Sequence, residues 1–172
     1  MLYICGMKNQ LPYCKTSDAI KGYSESYIAK REANDCVVKA LASGFEIEYD
    51  KAHKIARELF NRVNRARTFG FVPKMNEMSE SRNRIGRKCF KVMGERSIYG
   101  PAYSLAYDVT VKGDKIKRRM TLSKFIEKNS KGTFIVCVKK HAFTIKNGVV
   151  IGNEEDSTQK RKIINSAWKI GA

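Results

Sequence analysis

The chain has 172 residues, enough to bury one hydrophobic core and too few for two ordinary domains, so a single domain over 1–172 is expected. Hydrophobic residues make up 42% and charged residues 30%, so the chain is expected to fold, and no run approaches the length of a transmembrane helix. Lys and Arg number 34 against 17 acids, and the resulting +17 attracts polyanions through phosphate contacts and counterion release.

The first thirty residues are mixed and give no clear periodicity. The opening stretch is too short in apolar residues, with Lys8 behind it, to act as a signal peptide, so a protein that is not secreted is expected. Asp35 followed by Cys-Val-Val-Lys-Ala-Leu-Ala-Ser predicts an N-cap and a short apolar helix stopped by Gly44, which puts Cys36 in the first turn. From Tyr49-Asp50 onward, Ala52, Ile55, Ala56, Leu59, Phe60 and Val63 recur at helical spacing and predict an amphipathic helix. His53 falls away from most of that stripe and reads as a surface histidine.

Between Thr68 and Lys112, Gly70, Pro73, Gly86, Gly94, Gly100 and Pro101 interrupt short apolar runs, which predicts loops and one short helix. Thr121 then caps a short amphipathic helix that Ser130-Lys131-Gly132 closes. Beyond it, the runs 133–138, 142–145, 149–151 and 162–170 are rich in β-branched and aromatic residues. Asn147-Gly148 is a two-residue hairpin signal. Helices first and strands afterwards predict an α+β domain, with N-terminal helices packed on a C-terminal antiparallel sheet and a basic, loop-rich insertion at about 66–120.

The five cysteines, Cys5, Cys14, Cys36, Cys89 and Cys137, are irregularly spaced with no C-x-x-C pair, and reduced thiols are the simplest reading. His53 and His141 are the only histidines, so an imidazole-based metal site has little to draw on; no metal and no cofactor are expected. A nucleophilic cysteine needs its thiolate, which a helix N-terminus and a neighbouring imidazolium both favour. Cys36 has the first by position. His141, at the junction of two predicted strands, can supply the second if a third polar group orients its ring. Cys137 alternates with Ile135 in a buried strand and reads as core.

Asn34-Asp35-Cys36 before an apolar helix, the stretch Gly132 to Ile145 containing His141, and Asn147-Gly-Val-Val-Ile-Gly-Asn153 together resemble the papain-like cysteine peptidase superfamily, and within it compact bacteriophage members. The resemblance covers the Cys36 helix and the last forty residues. It implies a Cys-His-Asn/Asp triad of Cys36, His141 and Asn153, with Glu154 or Asp156 as alternative orienting groups. It also implies a thiol hydrolase acting on a peptide or isopeptide bond in a polypeptide substrate, located in the host cytoplasm or virion. Papain-like enzymes place a Gln several residues before the nucleophile; here Lys30 and Arg31 stand in that neighbourhood. Asn34 with the backbone N–H of Cys36 is the candidate oxyanion donor, although Asn34 also fits a place in the helix cap.

The alternative keeps the fold without the reaction: a basic phage protein that binds nucleic acid or an acidic host protein. Twelve Lys/Arg stand against four acids between Lys54 and Arg96, nearly half of the excess, and a second cluster follows. Arg82, Arg84, Arg87, Lys88, Lys115, Lys117, Arg118 and Arg119 are the candidate nucleic-acid contacts. No membrane partner is expected.

Overall fold

A computed structural model describes residues 10–63, 65–66, 68, 70–80, 97–99, 105–112 and 114–171. It is an α+β arrangement built around a six-stranded sheet in the order β1-β7-β6-β5-β8-β2. These strands are β1 (Tyr13–Lys15), β2 (Ser97–Tyr99), β5 (Thr133–Val138), β6 (His141–Lys146), β7 (Val149–Gly152) and β8 (Ser166–Gly171). The expected C-terminal antiparallel sheet is present, with two short strands added at its edges, β1 beside β7 and β2 beside β8. β1 comes from the unassigned N-terminal stretch and runs parallel to β7, pairing Cys14 with Ile151. Three residues carry too little pattern to announce a strand.

Strand alternation sorts the sheet into two apolar faces. Ile135, Cys137, Ala142, Trp168 and Ile170 face one cluster, while Phe134, Val136, Val138, Phe143, Ile145 and Ala167 face the other. The first face is covered by α3 (Cys36–Phe45), α4 (Tyr49–Phe60) and α5 (Phe71–Glu80). The second is covered by α6 (Leu122–Lys128) and by Leu105 and Tyr107, at the base of a separate two-stranded ribbon, β3 (Ala106–Val111) and β4 (Asp114–Arg119). Covering both faces explains why every residue of β5 is buried. The short helices α1 (Thr16–Ala19), α2 (Tyr27–Arg31) and α7 (Glu154–Thr158) complete the described elements.

α3 carries the predicted nucleophile against the sheet and buries Val38, Leu41 and Phe45, each contributing roughly 1.5–3 kcal/mol by leaving water. Gly44 does not stop this helix as expected. The helix runs on to Phe45 and ends at Glu46, whose φ of 53° is left-handed. Gly44 serves packing instead, since a Cβ there would meet Ile135 Cγ1 at 2.6 Å. Close by, Thr144 Oγ1 donates to the Ala40 carbonyl at 3.0 Å, and Ser43 Oγ donates to Thr144 at 2.8 Å, pinning α3 to β6.

α4 is shorter than its periodicity predicts. Asn61 adopts φ 50° and caps it after Phe60, with its N–H bonded to Ala56 O, and Val63 is left 68% exposed rather than in the apolar stripe. In α5 the first intrahelical bond runs from Lys74 N–H to Gly70 O, so Pro73 sits in the first turn, where a missing N–H costs nothing. The segment expected to be mostly loop therefore holds a ten-residue helix, the edge strand β2 and the ribbon. Thr121 caps α6 as expected, accepting from Lys124 N–H at 3.3 Å. Asn147 and Gly148 adopt the positive φ of 50° and 78° that the β6–β7 hairpin needs. Among the described residues, no helix is long and apolar enough to cross a membrane.

Candidate active site

Cys36 opens α3, and His141 opens β6 directly after the Lys139-Lys140 turn. Because α3 packs on β6, the helix start and the strand start meet. The imidazole and the thiol of these two residues are hydrogen-bonded, and the backbone N–H groups of Ala142 and Val37 also point at the sulfur. Burial pushes the Cys36 thiol up, yet the hydrogen bond and charge of His141, with the two backbone donors, outweigh it and hold the thiol below its usual value.

On the other side of the ring, His141 Nε2 lies 2.9 Å from Asp156 Oδ1, which leaves Nδ1 for the sulfur. The contacts with Asp156 and then Cys36, against the opposing effect of burial, raise His141 to about 9. Burial pushes the Asp156 carboxyl up, but His141, the Asn153 N–H and the charge of Lys162 hold it below the ordinary carboxylate range. The three groups therefore favour a thiolate, an imidazolium and a carboxylate in line.

The ring is met by Asp156, where Asn153 was the first expectation. Asn153 is the N-cap of α7, and its N–H donates to Asp156 Oδ2 at 2.9 Å while Asp156 N–H returns to Asn153 O at 3.0 Å. Asn153 thus fixes the carboxylate from behind, and Asp156 spends its other oxygen on His141. Asn-x-x-Asp is a capping-box pattern, and that local signal favours Asp156 over Glu154 as the inward residue. Gly152 completes the arrangement and was not anticipated: a Cβ there would stand 2.5 Å from Asp156 Oδ2.

Asn34 has a left-handed φ of 53°, which Asn tolerates better than most residues, and it borders the site. Its side-chain Nδ2 donates to Arg65 O at 3.0 Å, which ties the amide to the neighbouring loop instead of freeing it as the oxyanion donor. Asp35 occupies the N-cap position of α3 but makes no side-chain cap bond. Its buried carboxylate accepts from Tyr49 Oη at 2.8 Å and pairs with Lys39 Nζ at 3.1 Å, because a tyrosine and an ammonium reach it first.

The loop before Cys36 is braced by a buried ionic cluster. Arg62 has no exposed side-chain surface; it bonds Glu32 and donates to the carbonyls of Ala33 at 3.0 Å, Asn34 at 3.2 Å and Ala66 at 2.9 Å. His53 Nε2 lies 3.3 Å from Glu32 Oε1, so this histidine is buried, contrary to the surface position expected from the helix wheel. The segment from 32 to 34 folds over that side of α4, which a wheel cannot register.

Two clefts flank the reactive pair and share Asn34, Cys36, His141 and Ala142 as walls. One, of about 210 Å³, is polar and includes Thr16, Lys39 and Asp156. The other, of about 460 Å³, is apolar, with Val37, Phe71, Val72, Pro73 and Val138. Cys137 borders the second cleft as a buried thiol that burial, with the nearby Cys36, pushes up to about 12. Among the described residues, no group of three or more His, Cys, Asp or Glu is placed to hold a metal ion.

Arg82, Arg84, Arg87 and Lys88 lie outside the described residues. Lys115, Lys117, Arg118 and Arg119 are all exposed and lie on β4, so this cluster is part of a strand rather than a loop. Comparison of the chain with protein-family models, with curated proteins and with solved structures finds no match.

Proposed function

We propose that the protein is a thiol hydrolase with a papain-like arrangement, acting on a peptide or isopeptide bond. The observation that carries this reading is the contact of Cys36 with His141 at the head of α3, with Asp156 2.9 Å behind the ring. In the proposed reaction the Cys36 thiolate adds to the scissile carbonyl, and the C–S bond forms as the carbonyl π electrons move to oxygen. The backbone N–H of Cys36 stabilises that oxyanion: it stands ahead of the first intrahelical bond of α3, from Lys39 N–H to Asp35 O, where helix amides lack internal partners. His141 gives its proton to the departing amine, and the C–N bond breaks. It then takes a proton from water, whose oxygen adds to the thioester carbonyl, and the thiolate leaves with the acid product free. Asp156 keeps the ring in place and favours its charged form throughout.

Support for a polymeric substrate comes from the two clefts, which let a chain cross Cys36 with one flank in a polar groove and the other in an apolar one. The test is alkylation with a haloacetamide at about pH 6, where an ordinary thiol is almost wholly protonated. Peptide mapping is expected to find Cys36 modified ahead of Cys14 and Cys137, both of which burial pushes up. Uniform slow labelling would instead support the alternative, a non-catalytic basic protein that binds nucleic acid or an acidic protein.

A further inference from the structure

The β3–β4 ribbon stands apart from the main sheet, and every residue of β4 is exposed. Its register pairs Ala106 with Arg119, Asp108 with Lys117 and Thr110 with Lys115, and these six share one face. The other face takes Tyr107, Val109, Val111, Asp114, Ile116 and Arg118. Tyr107 packs toward the second core cluster and lies under the ammonium groups of Lys124 and Lys128 at 5.9 and 5.5 Å. Alternation thus separates a row of three cations from the bulky apolar residues Tyr107, Val109, Val111 and Ile116.

The row continues at the ribbon's base. Arg119 Nη2 donates to Asn165 Oδ1 at 3.4 Å, and Thr121 bridges Ile163. Leu122 N–H and Ser123 N–H bond the carbonyls of Lys162 and Lys160 at 2.8 and 3.1 Å. The loop carrying Lys160, Arg161 and Lys162 is therefore fastened beside the ribbon, and it walls a shallow open cleft of about 680 Å³. Lys162 also acts electrostatically on Asp156, so the positive surface reaches the edge of the candidate active site.

We propose that this ribbon, with the Lys160–Lys162 loop at its base, binds the phosphate backbone of duplex nucleic acid. Lys115, Lys117 and Arg119 are two residues apart, a pitch of about 6.8 Å in a strand, and a regular row of cations matches the regular row of charges on a phosphodiester backbone. An acidic protein would need an apolar anchor at the centre of its interface. The basic face has none, its companions being Ala106, Asp108 and Thr110. Asp108, opposite Lys117, offsets part of the charge, and the net sign of the face remains positive. Nothing on the ribbon requires base reading, so sequence preference is weak.

The test is fluorescence anisotropy with a short random-sequence duplex, titrated between about 50 and 200 mM salt. The parent is compared with Lys115→Gln/Lys117→Gln, whose exposed side chains leave the core untouched, and with Lys51→Gln/Lys54→Gln, which makes the same charge change on exposed positions of α4. The ribbon variant is expected to bind severalfold more weakly. The slope of log K against log salt should become shallower by about 0.9 for each phosphate contact removed, while the α4 variant follows the parent. A parent that does not bind, equal losses in the two variants, or competition by polyglutamate as effective as by duplex would overturn the assignment. Cys36 labelling is untouched by either variant, so this result and the hydrolase reading stand or fall separately.

Discussion

Gly152 leaves the space that the Asp156 carboxylate fills, since a Cβ on residue 152 would stand 2.5 Å from Asp156 Oδ2. In Gly152→Ala the carboxylate must move, and His141 loses the contact that most raises its pKa. Turnover is expected to fall about a hundredfold, the scale of a small misplacement of a catalytic group. Alkylation of Cys36 should shift toward the alkaline profile of an ordinary thiol. Asp156→Asn should move the profile the same way, and Asn153→Ala less. An unchanged profile in Gly152→Ala would remove Asp156 from the orienting role.

The pH dependence follows from the reactive pair. His141 is raised to about 9 and Cys36 is held below its usual value, so activity is expected on a plateau that ends near pH 9 as the imidazolium loses its proton. The two titrations are coupled, and the measured limits belong to the pair. For stability the signs are opposite. The contribution of charged His141 is full below its unfolded value of about 6.5 and is lost as pH rises through 9. That of the Cys36 thiolate is present above the unfolded thiol value and is lost as pH falls through the lowered one. The Tm difference between the parent and His141→Ala, measured from pH 6 to pH 10, should narrow above pH 9.

Arg62→Met leaves Glu32 buried without its strongest partner and removes the donor that the carbonyls of Ala33, Asn34 and Ala66 share. Breaking a buried pair in this way costs roughly 3–5 kcal/mol, to be read from urea unfolding. Arg62→Lys should recover little of it, because an ammonium cannot reproduce the planar fork.

Gly44→Ala places a methyl group 2.6 Å from Ile135 Cγ1, at the contact of α3 with β5. Overpacking of this kind costs roughly 1–3 kcal/mol. A companion change, Gly44→Ala/Ile135→Val, removes part of the opposing side chain and should restore some stability; further loss in the double variant would place the clash elsewhere.

Local chemistry made some of this legible in the sequence. A threonine cap, an Asn-Gly turn and runs of β-branched residues located α6 and the central hairpins, because each signal acts within a few residues. Cys36 and His141 were legible as a helix start and a strand start. Features set by distant chain were not: β1 is recognisable only by its pairing with β7, and His53 is buried on the side of α4 where Glu32 meets it. Nothing in the sequence separates Arg62 from the other cations of its basic stretch. The ribbon leaves no mark in the sequence because β4 is charged on both faces, so no apolar alternation identifies it as a strand. The resemblance implies a role for the Asn153 side chain, whereas the geometry uses its backbone amide to hold Asp156.

The bond from Thr144 to Ala40 spans 104 residues, and it lies in the same α3–β6 contact that brings His141 to Cys36. During translation the cysteine is therefore made long before its partner. Until β6 and α7 have emerged and docked, its thiol lacks both the imidazole and the Ala142 amide that draw it toward the thiolate. Under the proposed reading the order of synthesis acts as a safety catch, and the growing chain cannot attack its neighbours before its own architecture is finished.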